Sequence, residues 1–241
     1  MTLLLIDGDI IAYKAAASAE TPIDWGDGLW TLHSFEPDVA IRITDQITKL
    51  VDEAPVQDCI VALSDKDNFR KELVPYYKAN RKNTRKPMLL QWARQYMMDN
   101  YNTIIYRRLE ADDVLGILGT SNPDTIIWSE DKDLLTIPAR HWLNGEVVTI
   151  TEAEANYNFF FQTLVGDNTD NYSGCPTVGP KTANKLLSFG CRWDTVVDAF
   201  KAKGLSEEVA LENARLARIL RDGEYNTDTG EVILWQPTKP I

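Results

Sequence analysis

The residues best suited to chemistry in this sequence are nine carboxylates in short clusters: Asp7, Asp65, Glu110, Asp112, Asp113, Asp131, Asp133, Asp167 and Asp170. Like charges repel, and a carboxylate near an apolar core is costly unless it is paired or bound to a cation. Oxygen ligands favour Mg²⁺, with Mn²⁺ as the alternative. Zinc is disfavoured, because the only histidines, His33 and His141, have no Cys or His partner at ligand spacing. The neighbouring Asp9 and Glu130 are left outside this set.

Many carboxylates around two divalent cations are typical of enzymes that hydrolyse phosphodiesters. In that chemistry one ion lowers the pKa of the attacking water and the other stabilises the leaving oxygen, with the ions ~3.5–4 Å apart. Each cluster taken singly also has a structural interpretation. The acids of "EADD" (110–113) suit the first turn of a helix, and those of "EDKDLL" and "GDNTDN" suit ordinary turns. Four separate clusters, each at a strand end or in a loop, favour the metal site.

Strand-like and helix-like segments alternate along the first 155 residues. Buried strands are predicted at 3–9 and 58–65, and further strands at 102–108, 124–135 and 146–151. Helices are predicted after residue 9 and at 37–54, 86–101 and 111–120. This order predicts a mostly parallel central sheet with helices on both faces. Acids follow three of the strands, so they should meet at the carboxyl edge of the sheet, where ligands bind. We expect a loop or hairpin at 20–36, and helices after 155 except for a small hairpin in 224–237.

The charge of the chain is unevenly distributed. The net charge of −11 over 241 residues argues against a polyanionic partner. Between Arg70 and Arg94, however, eight basic residues face one acid, Glu72, and tyrosines are interleaved in "YYKANRKNTRK" (76–86). A solvated helix face is the alternative interpretation. Beside an acidic site, a basic segment would attract a polyanion that the acids alone would repel.

The stretch "SGCPTVGPKTANKLL" (173–187) resembles the hairpin of a helix-hairpin-helix unit. Gly179 would let the backbone approach a phosphate, and the N–H groups of Lys181 and Thr182 at the following helix start would bind it. Such contacts read the backbone of nucleic acid and carry no sequence information. The alternative is a simple turn and helix cap.

The cysteine content and the hydropathy of the chain indicate in which cellular compartment the protein is expected. The three cysteines form no CxxC pair, which indicates a reducing environment without a disulfide framework. No apolar run approaches a membrane span, and "MTLLLIDGD" lacks the features of a signal peptide. We therefore expect a cytoplasmic protein with no membrane partner, and with such an acidic remainder we expect a monomer.

Five ordered motifs, "IDGDIIAYK", "SDKDNFRKELVPYYKANR", "EADDVL", "SEDKDL" and "GDNTDNYSGCPTVGPKTANKLL", span residues 3 to about 190. Together they resemble the 5′-nuclease family of phage exonucleases, flap endonucleases and the N-terminal nuclease domain of bacterial DNA polymerase I. The resemblance implies a PIN-like α/β nuclease domain over 1–155 with a basic helical arch at about 67–99. It also implies a helical DNA-binding region over 156–241 with a helix-hairpin-helix (H3TH) motif.

The resemblance implies a Mg²⁺-dependent, structure-specific 5′→3′ exonuclease or flap endonuclease of DNA replication, repair or recombination, in a bacterial or phage-infected cell. Its substrates would be DNA with 5′ ends, flaps or single-strand/duplex junctions. Asp7, Asp65, Glu110 and Asp112 would hold the first metal, and Asp131, Asp133, Asp167 and Asp170 the second, with Asp113 between them or in the outer shell. Lys78 and Arg81 would contact the scissile phosphate. The remaining predicted DNA contacts are Lys14, Arg70, Tyr77, Lys82, Arg85, Lys86, Gly179, Lys181 and Thr182.

The same resemblance implies a K⁺ ion at the hairpin carbonyls, although Thr177 stands where the family has the first Gly of a Gly-x-Gly hairpin. Two other classes of function stay open. One is a non-catalytic protein that binds DNA structures on the same scaffold, which the presence of all nine acids disfavours. The other is a ribonuclease on a related acidic domain, including cleavage of RNA in RNA–DNA hybrids, because nothing in the sequence reads the 2′-OH.

Overall fold

The computed structural model describes residues 1–237; residues 238–241, the end of the predicted C-terminal region, lie outside the described residues. Its strands in chain order are β1 Leu3–Asp7, β2 Thr21–Asp24, β3 Trp30–His33, β4 Asp58–Ala62, β5 Thr103–Ile104, β6 Thr125–Trp128, β7 Arg140–Leu143, β8 Glu146–Thr149, β9 Tyr225–Asn226 and β10 Glu231–Val232. Six of them form one sheet in the order β5-β4-β1-β6-β7-β8. All neighbours in that sheet are parallel except β7 and β8.

Helices cover both faces of this sheet, as predicted. The helices in chain order are α1 Gly8–Ser18, α2 Glu36–Glu53, α3 Phe69–Leu73, α4 Leu90–Asn100, α5 Ala111–Ser121, α6 Glu152–Val165, α7 Pro180–Phe189, α8 Trp193–Lys201 and α9 Glu207–Ala217. Helices α1, α2 and α4 share one core with the sheet, and α5 lies in a second core. The stripe Val39, Ile43, Ile47 and Leu50 buries α2, and each such side chain contributes about 1.5–3 kcal/mol.

The first strand ends two residues earlier than predicted. Asp7 caps α1, because its Oδ1 accepts the Ile10 N–H at 3.2 Å. Gly8 lets the helix begin directly against β4, since a Cβ there would lie 2.5 Å from Val61 Cγ1. Asp7 both ends β1 and caps α1, so its side chain has little conformational freedom.

Other predicted strands are also shorter, and one was missed. The segment 124–135 contains β6 and then a 3₁₀ helix over Lys132–Thr136, because Asp131 accepts the Asp133 N–H and starts a turn. Strand β7 joins β8 through Asn144 and Gly145, which both have positive φ. Asn-Gly between two strands is a strong hairpin signal in the sequence itself.

The predicted helical arch over 67–99 differs from the structure. Only α3, a 3₁₀ helix at Ala79–Asn83 and α4 are helical there. Helix α4 packs on the sheet through Ala93 and Met97. In the basic segment, residues 76–86, the exposed part that stands away from the core is 80–86. Pro87 and the run of polar residues before it oppose a continuous helix.

The C-terminal part has its own apolar core, built from α6 to α9 with Val74 and Tyr77 of the preceding part. The predicted boundary at 155 falls inside α6, which begins at Glu152. The predicted hairpins occur at 21–33 and 225–232. Cys59 and Cys175 are buried and Cys191 is exposed. Among residues 1–237, no helix is both long and apolar enough to cross a bilayer.

Candidate active site

A cavity of about 1110 Å³ opens at the carboxyl edge of the sheet, where the acids were expected to meet. Seven of the nine predicted carboxylates line it: Asp7, Glu110, Asp112, Asp131, Asp133, Asp167 and Asp170. They come from the end of β1, the start of α5, the segment after β6 and the loop between α6 and α7. The parallel sheet and the loop between α6 and α7 thus bring together residues as far apart in the sequence as Asp7 and Asp170.

Asp7 and Asp112 form the most crowded part of the cavity. Asp7 is 2% exposed, and its Oδ2 accepts the Ser129 hydroxyl at 2.8 Å. Burial raises the pKa of Asp7 to about 6. Burial and then the charges of Asp7 and Glu110 raise the pKa of Asp112 well above its usual value. Carboxylates pushed toward their neutral form by burial and by one another fit a site that a cation completes.

Glu110 is in the opposite electrostatic state. Although burial opposes ionisation, the positive charges of Lys78 and Arg70 lower the pKa of Glu110 to about 2. The Lys78 ammonium contacts Glu110 and lies 3.5 Å from Asp170 Oδ2. The Tyr77 hydroxyl oxygen lies 2.9 Å from Glu110 Oε2 and 2.7 Å from Asp170 Oδ2. The start of the basic segment therefore bridges the two groups of acids.

The backbone at Lys78 is held in an unusual conformation. Its φ of 53° lies in the left-handed region, and its N–H donates to the Asp170 carbonyl at 2.9 Å. Arg81 follows, with Nη2 2.7 Å from Asp170 Oδ1. A strained residue whose backbone and side chain both face an acidic cavity is typical of a functional position.

The second group of acids lies on two loops. Burial, followed by repulsion from Asp131, raises the pKa of Asp133 to about 6. Asp167 begins the loop after α6, where its backbone exchanges hydrogen bonds of 2.9 and 3.0 Å with Tyr172. Gly166 has φ 75°, and a Cβ there would lie 2.4 Å from Ser173 C, so this turn requires glycine. The tight turn points Asp167 and Asp170 into the cavity.

The donor set suits hard divalent cations, because, among the residues that the structure describes, the cavity is lined by nine carboxylate side chains and by no histidine or cysteine. Within residues 1–237, no three acidic, His or Cys side chains converge closely enough to form a finished metal centre. Asp7, Glu110 and Asp112 could hold one cation, and Asp131, Asp133, Asp167 and Asp170 a second, if their side chains turn toward it.

A family model for the "5′-3′ exonuclease, N-terminal resolvase-like domain" matches residues 2–161. The exonuclease of Escherichia phage T7 is 31% identical over 286 residues, covering 98% of this chain and 93% of the relative. The chain belongs to the 5′–3′ exonuclease family. A flap endonuclease Xni from Shewanella baltica is 28% identical, covering 83% of this chain and 87% of the relative. The sequence-based prediction of a 5′-nuclease enzyme is confirmed.

The fold of this exonuclease also matches a solved structure. A bacteriophage T5 flap endonuclease, described as a pseudo-enzyme-product complex with DNA and metal ions, superimposes with a TM-score of 0.65. The identity is 18%, and the match covers 90% of this chain and 89% of that one. The predicted α/β fold class is thereby confirmed.

Two predicted metal ligands of the exonuclease lie outside the cavity. Asp113 is fully buried, and both of its oxygens are held by Arg70, at 2.7 and 2.8 Å. Asp65 accepts the Arg108 N–H at 2.7 Å and is absent from the cavity lining. The structure corrects the prediction for Asp65, which turns toward the Arg108 backbone. Asp113 points to the far side of α5, so only the predicted place behind the metal ligands stays open to it.

Two predicted DNA contacts are internal as well. Arg70 is 2% exposed, and its guanidinium is engaged by Asp113 and by the carbonyls of Leu216 and Arg218. Tyr77 is 3% exposed, and its hydroxyl faces Glu110 and Asp170. Neither presents a surface to nucleic acid, because packing against the C-terminal helices covers both.

The other predicted contacts are accessible. Lys14 lines the cavity and lies 2.7 Å from Glu130. Lys82, Arg85 and Lys86 are exposed, with Arg85 paired to Glu20 at 2.5 Å. At the start of α7, the N–H groups of Thr182 and Ala183 both donate to the Gly179 carbonyl. The Thr182 N–H is therefore not free, and the anion site predicted there reduces to Lys181 and the helix end.

Several residues at the cavity were missed or set aside. Asp9 and Glu130 line it, although neither was among the predicted metal ligands. Ser64, Ser129 and Gln162 also surround the acids. The signal for the two serines was available, because each lies in a predicted strand and directly precedes an acidic residue. Gln162 carried no signal, since it is one of several polar residues in α6.

Proposed function

We propose that this exonuclease is a Mg²⁺-dependent, structure-specific 5′→3′ exonuclease and flap endonuclease that hydrolyses DNA phosphodiesters. The observation that carries the proposal is the convergence of seven carboxylates on one cavity, faced by Lys78 and Arg81 of the basic segment. A site that hydrolyses phosphodiesters needs carboxylates that bind the cations and basic side chains that bind the phosphate, and this cavity has both.

Two cations are proposed, one beside Asp7, Glu110 and Asp112 and one beside Asp131, Asp133, Asp167 and Asp170. Bound there, one ion would lower the pKa of the attacking water, and the other would neutralise negative charge at the leaving oxygen. The protein's own groups do the rest. Lys78 and Arg81 would turn from Glu110 and Asp170 toward the scissile phosphate, and their positive charge would stabilise the developing negative charge.

DNA with a free 5′ end, a flap or a single-strand/duplex junction is the proposed substrate. The exposed Lys82 and Lys86 lie on the basic segment next to the cavity, so they can guide a strand toward it. Lys181 at the start of α7 would hold the phosphate backbone of the duplex. The T5 enzyme in complex with DNA and metal ions supports this assignment by its fold.

Further parts of the proposal rest on the family. They are a role in DNA replication or recombination, a cytoplasmic site of action, a monomeric state, and activity on the RNA of RNA–DNA hybrids. A K⁺ ion at the carbonyls of the loop between α6 and α7 is proposed as well. Thr177 supports it, since it adopts φ 64°, the left-handed conformation that favours the glycine of the family motif.

The decisive experiment is cleavage of a 5′-labelled duplex with a 5′ flap, in Mg²⁺ and then in EDTA. A blunt duplex and an RNA–DNA hybrid are run beside it. Metal-dependent release of the flap near its junction is expected. Binding without cleavage in both Mg²⁺ and Mn²⁺ would contradict the proposal and favour a protein that only binds DNA structures.

A further inference from the structure

A hydrogen-bonded network of Asp9, Ser64 and Arg94 lies at the rim of the cavity, and the proposed chemistry does not use it. The Arg94 guanidinium of α4 contacts the Asp9 carboxylate and the Ser64 carbonyl. The Ser64 N–H donates to the other Asp9 oxygen at 3.1 Å. Arg94 is mostly enclosed, with a side chain 19% exposed. Because Arg94 and Asp9 contact each other and both contact the Ser64 backbone, this pair should be better ordered than an ion pair on the surface.

Ser64 extends this network to the acids of α5. Its hydroxyl accepts the Ala111 N–H at 2.9 Å, in the first turn of the helix between Glu110 and Asp112. The next residue, Asp65, accepts the Arg108 N–H, so the end of β4 and the start of α5 are tied at two points. Any shift of Ser64 would move the backbone that carries Glu110 and Asp112.

Asp9 extends the network to β1. It lies in the first turn of α1, which Asp7 caps, and it lines the cavity itself. Arg94 and the Ser64 N–H occupy both of its oxygens. The pairing thus holds the first turn of α1 in place and keeps a carboxylate two residues from Asp7 out of the group that would bind the cation.

We propose that Arg94 and Asp9 form a positioning pair that fixes Asp7, Glu110 and Asp112 in the geometry required for the first cation. This inference rests on the proposed function of the cavity. Groups behind metal ligands orient them, and their loss typically costs roughly 10- to 100-fold in metal affinity or activity. Because Arg94 lies on the helix that follows the basic segment, the pair also links the acids to the element that receives the substrate.

The test compares Arg94→Met, Asp9→Asn, their double variant and the conservative Arg94→Lys with the unchanged protein. Arg42→Met is the matched control, because Arg42 is an exposed helical arginine outside the cavity. Circular dichroism and melting temperature report folding. Calorimetric titration with Mn²⁺ without DNA gives metal affinity, and flap cleavage in saturating Mg²⁺ gives kcat and KM.

We expect Arg94→Met to weaken Mn²⁺ binding and to lower kcat, each roughly tenfold or more, with KM for DNA changed less than about threefold. Asp9→Asn should do the same to a similar extent. The double variant should lose no more than the worse single one, because the two residues act as a unit. Arg94→Lys should recover part of the loss, and Arg42→Met should match the unchanged protein.

Several outcomes would overturn the proposal. One is a lower melting temperature with Mn²⁺ affinity and kcat within twofold of the unchanged protein, which would show a purely structural pair. Another is a double variant whose loss of Mn²⁺ affinity equals the product of the two single fold-losses, which would show that Arg94 and Asp9 act independently. If Arg94→Met does not fold, Asp9→Asn and Arg94→Lys decide the matter alone. Absence of cleavage by the unchanged protein would count against the proposed function, whereas the calorimetric comparison would still test the pair.

Discussion

Arg70 and Asp113 form a buried two-point ion pair that joins α3 to α5. Arg70 Nη1 lies 2.7 Å from Asp113 Oδ2, and Nη2 lies 2.8 Å from Oδ1. The pair also reaches the end of α9, since Arg70 donates to the Leu216 carbonyl and Asp113 accepts the Leu220 N–H, both at 3.1 Å. It therefore connects the sheet layer with the C-terminal helices directly behind the cavity.

Asp113→Ala should cost about 3–5 kcal/mol in the free energy of unfolding, because it leaves the Arg70 guanidinium buried without its two-point partner and with only Glu110, at 3.4 Å, as counter-charge. Urea denaturation measures the loss, with the exposed Asp45→Ala as control. Asp113→Ala combined with Arg70→Met should be less destabilised than the sum of the two changes. A cost below about 1 kcal/mol for Asp113→Ala would show that water reaches Arg70.

Asp170→Asn should lower kcat on a 5′-flap substrate by at least the roughly 10- to 100-fold seen for residues behind a metal ligand. The amide keeps the shape of the side chain but removes the charge that faces Tyr77, Lys78 and Arg81. Fluorescence anisotropy in Ca²⁺ should show DNA binding within a few-fold of the unchanged protein. The control is Asp228→Asn in an exposed turn, and equal turnover in both variants would refute the metal assignment.

The pH dependence of stability follows from the cavity carboxyls whose pKa is raised, among them Asp7, Asp133 and, in the same direction, Asp112. Asp7 and Asp133 both have a pKa of about 6 in the folded protein and 3.8 in the unfolded chain, so the folded state binds protons more tightly between those values. Without metal, the free energy of unfolding should fall as pH rises from about 4 through about 6, by at most about 1.4 kcal/mol per pH unit and group. Glu110 has the opposite effect, because its pKa is lowered from 4.5 to about 2, so its contribution to stability rises with pH between those values.

Mg²⁺ should reverse that trend, because cation ligands must be ionised. The Mg²⁺-induced rise in melting temperature should therefore be small near pH 5 and grow through pH 6 to 7. Thermal unfolding in EDTA and in Mg²⁺ across this range measures both effects. In EDTA, Asp7→Asn should flatten the pH profile; an unchanged slope would mean that Asp7 ionises normally.

Thr177→Gly should raise stability by up to about 1 kcal/mol. Thr177 is exposed with φ 64°, a left-handed conformation that costs an L-residue roughly 1–2 kcal/mol, whereas the added freedom of glycine in the unfolded chain costs about 0.5–1. Thr177→Asn should give a comparable gain, because asparagine tolerates this conformation, and Thr177→Val should give none. Denaturant midpoints measure the series, and a gain with valine would disprove the role of φ.

The periodic and positional signals in the sequence were sufficient for the sheet, except for the missed strand β7, and for most of the cavity. Strand-end acids such as Asp7 and Asp131 must meet because parallel strands share a carboxyl edge. What the sequence could not give is the direction of each side chain within a cluster. Asp112 and Asp113 are adjacent and equally acidic, yet the helical turn sends one into the cavity and the other to Arg70.

Long-range packing explains the remaining errors. Arg70 and Tyr77 belong to a stretch that is basic and exposed on average, but the C-terminal helices cover these two residues. No local pattern signals a contact with residues about 140 positions away. The Arg94–Asp9 contact is of the same kind, because it depends on how α4 lies against the end of β4.

The unequal exposure of the three cysteines offers a practical handle. Cys59 and Cys175 are 8% and 2% exposed, whereas Cys191 lies in the open just after α7. A maleimide dye should therefore attach to the natural protein at one position, next to the proposed duplex-binding helix. Energy transfer from a fluorophore on the DNA to that dye would report the arrival and release of single substrate molecules without any engineered residue.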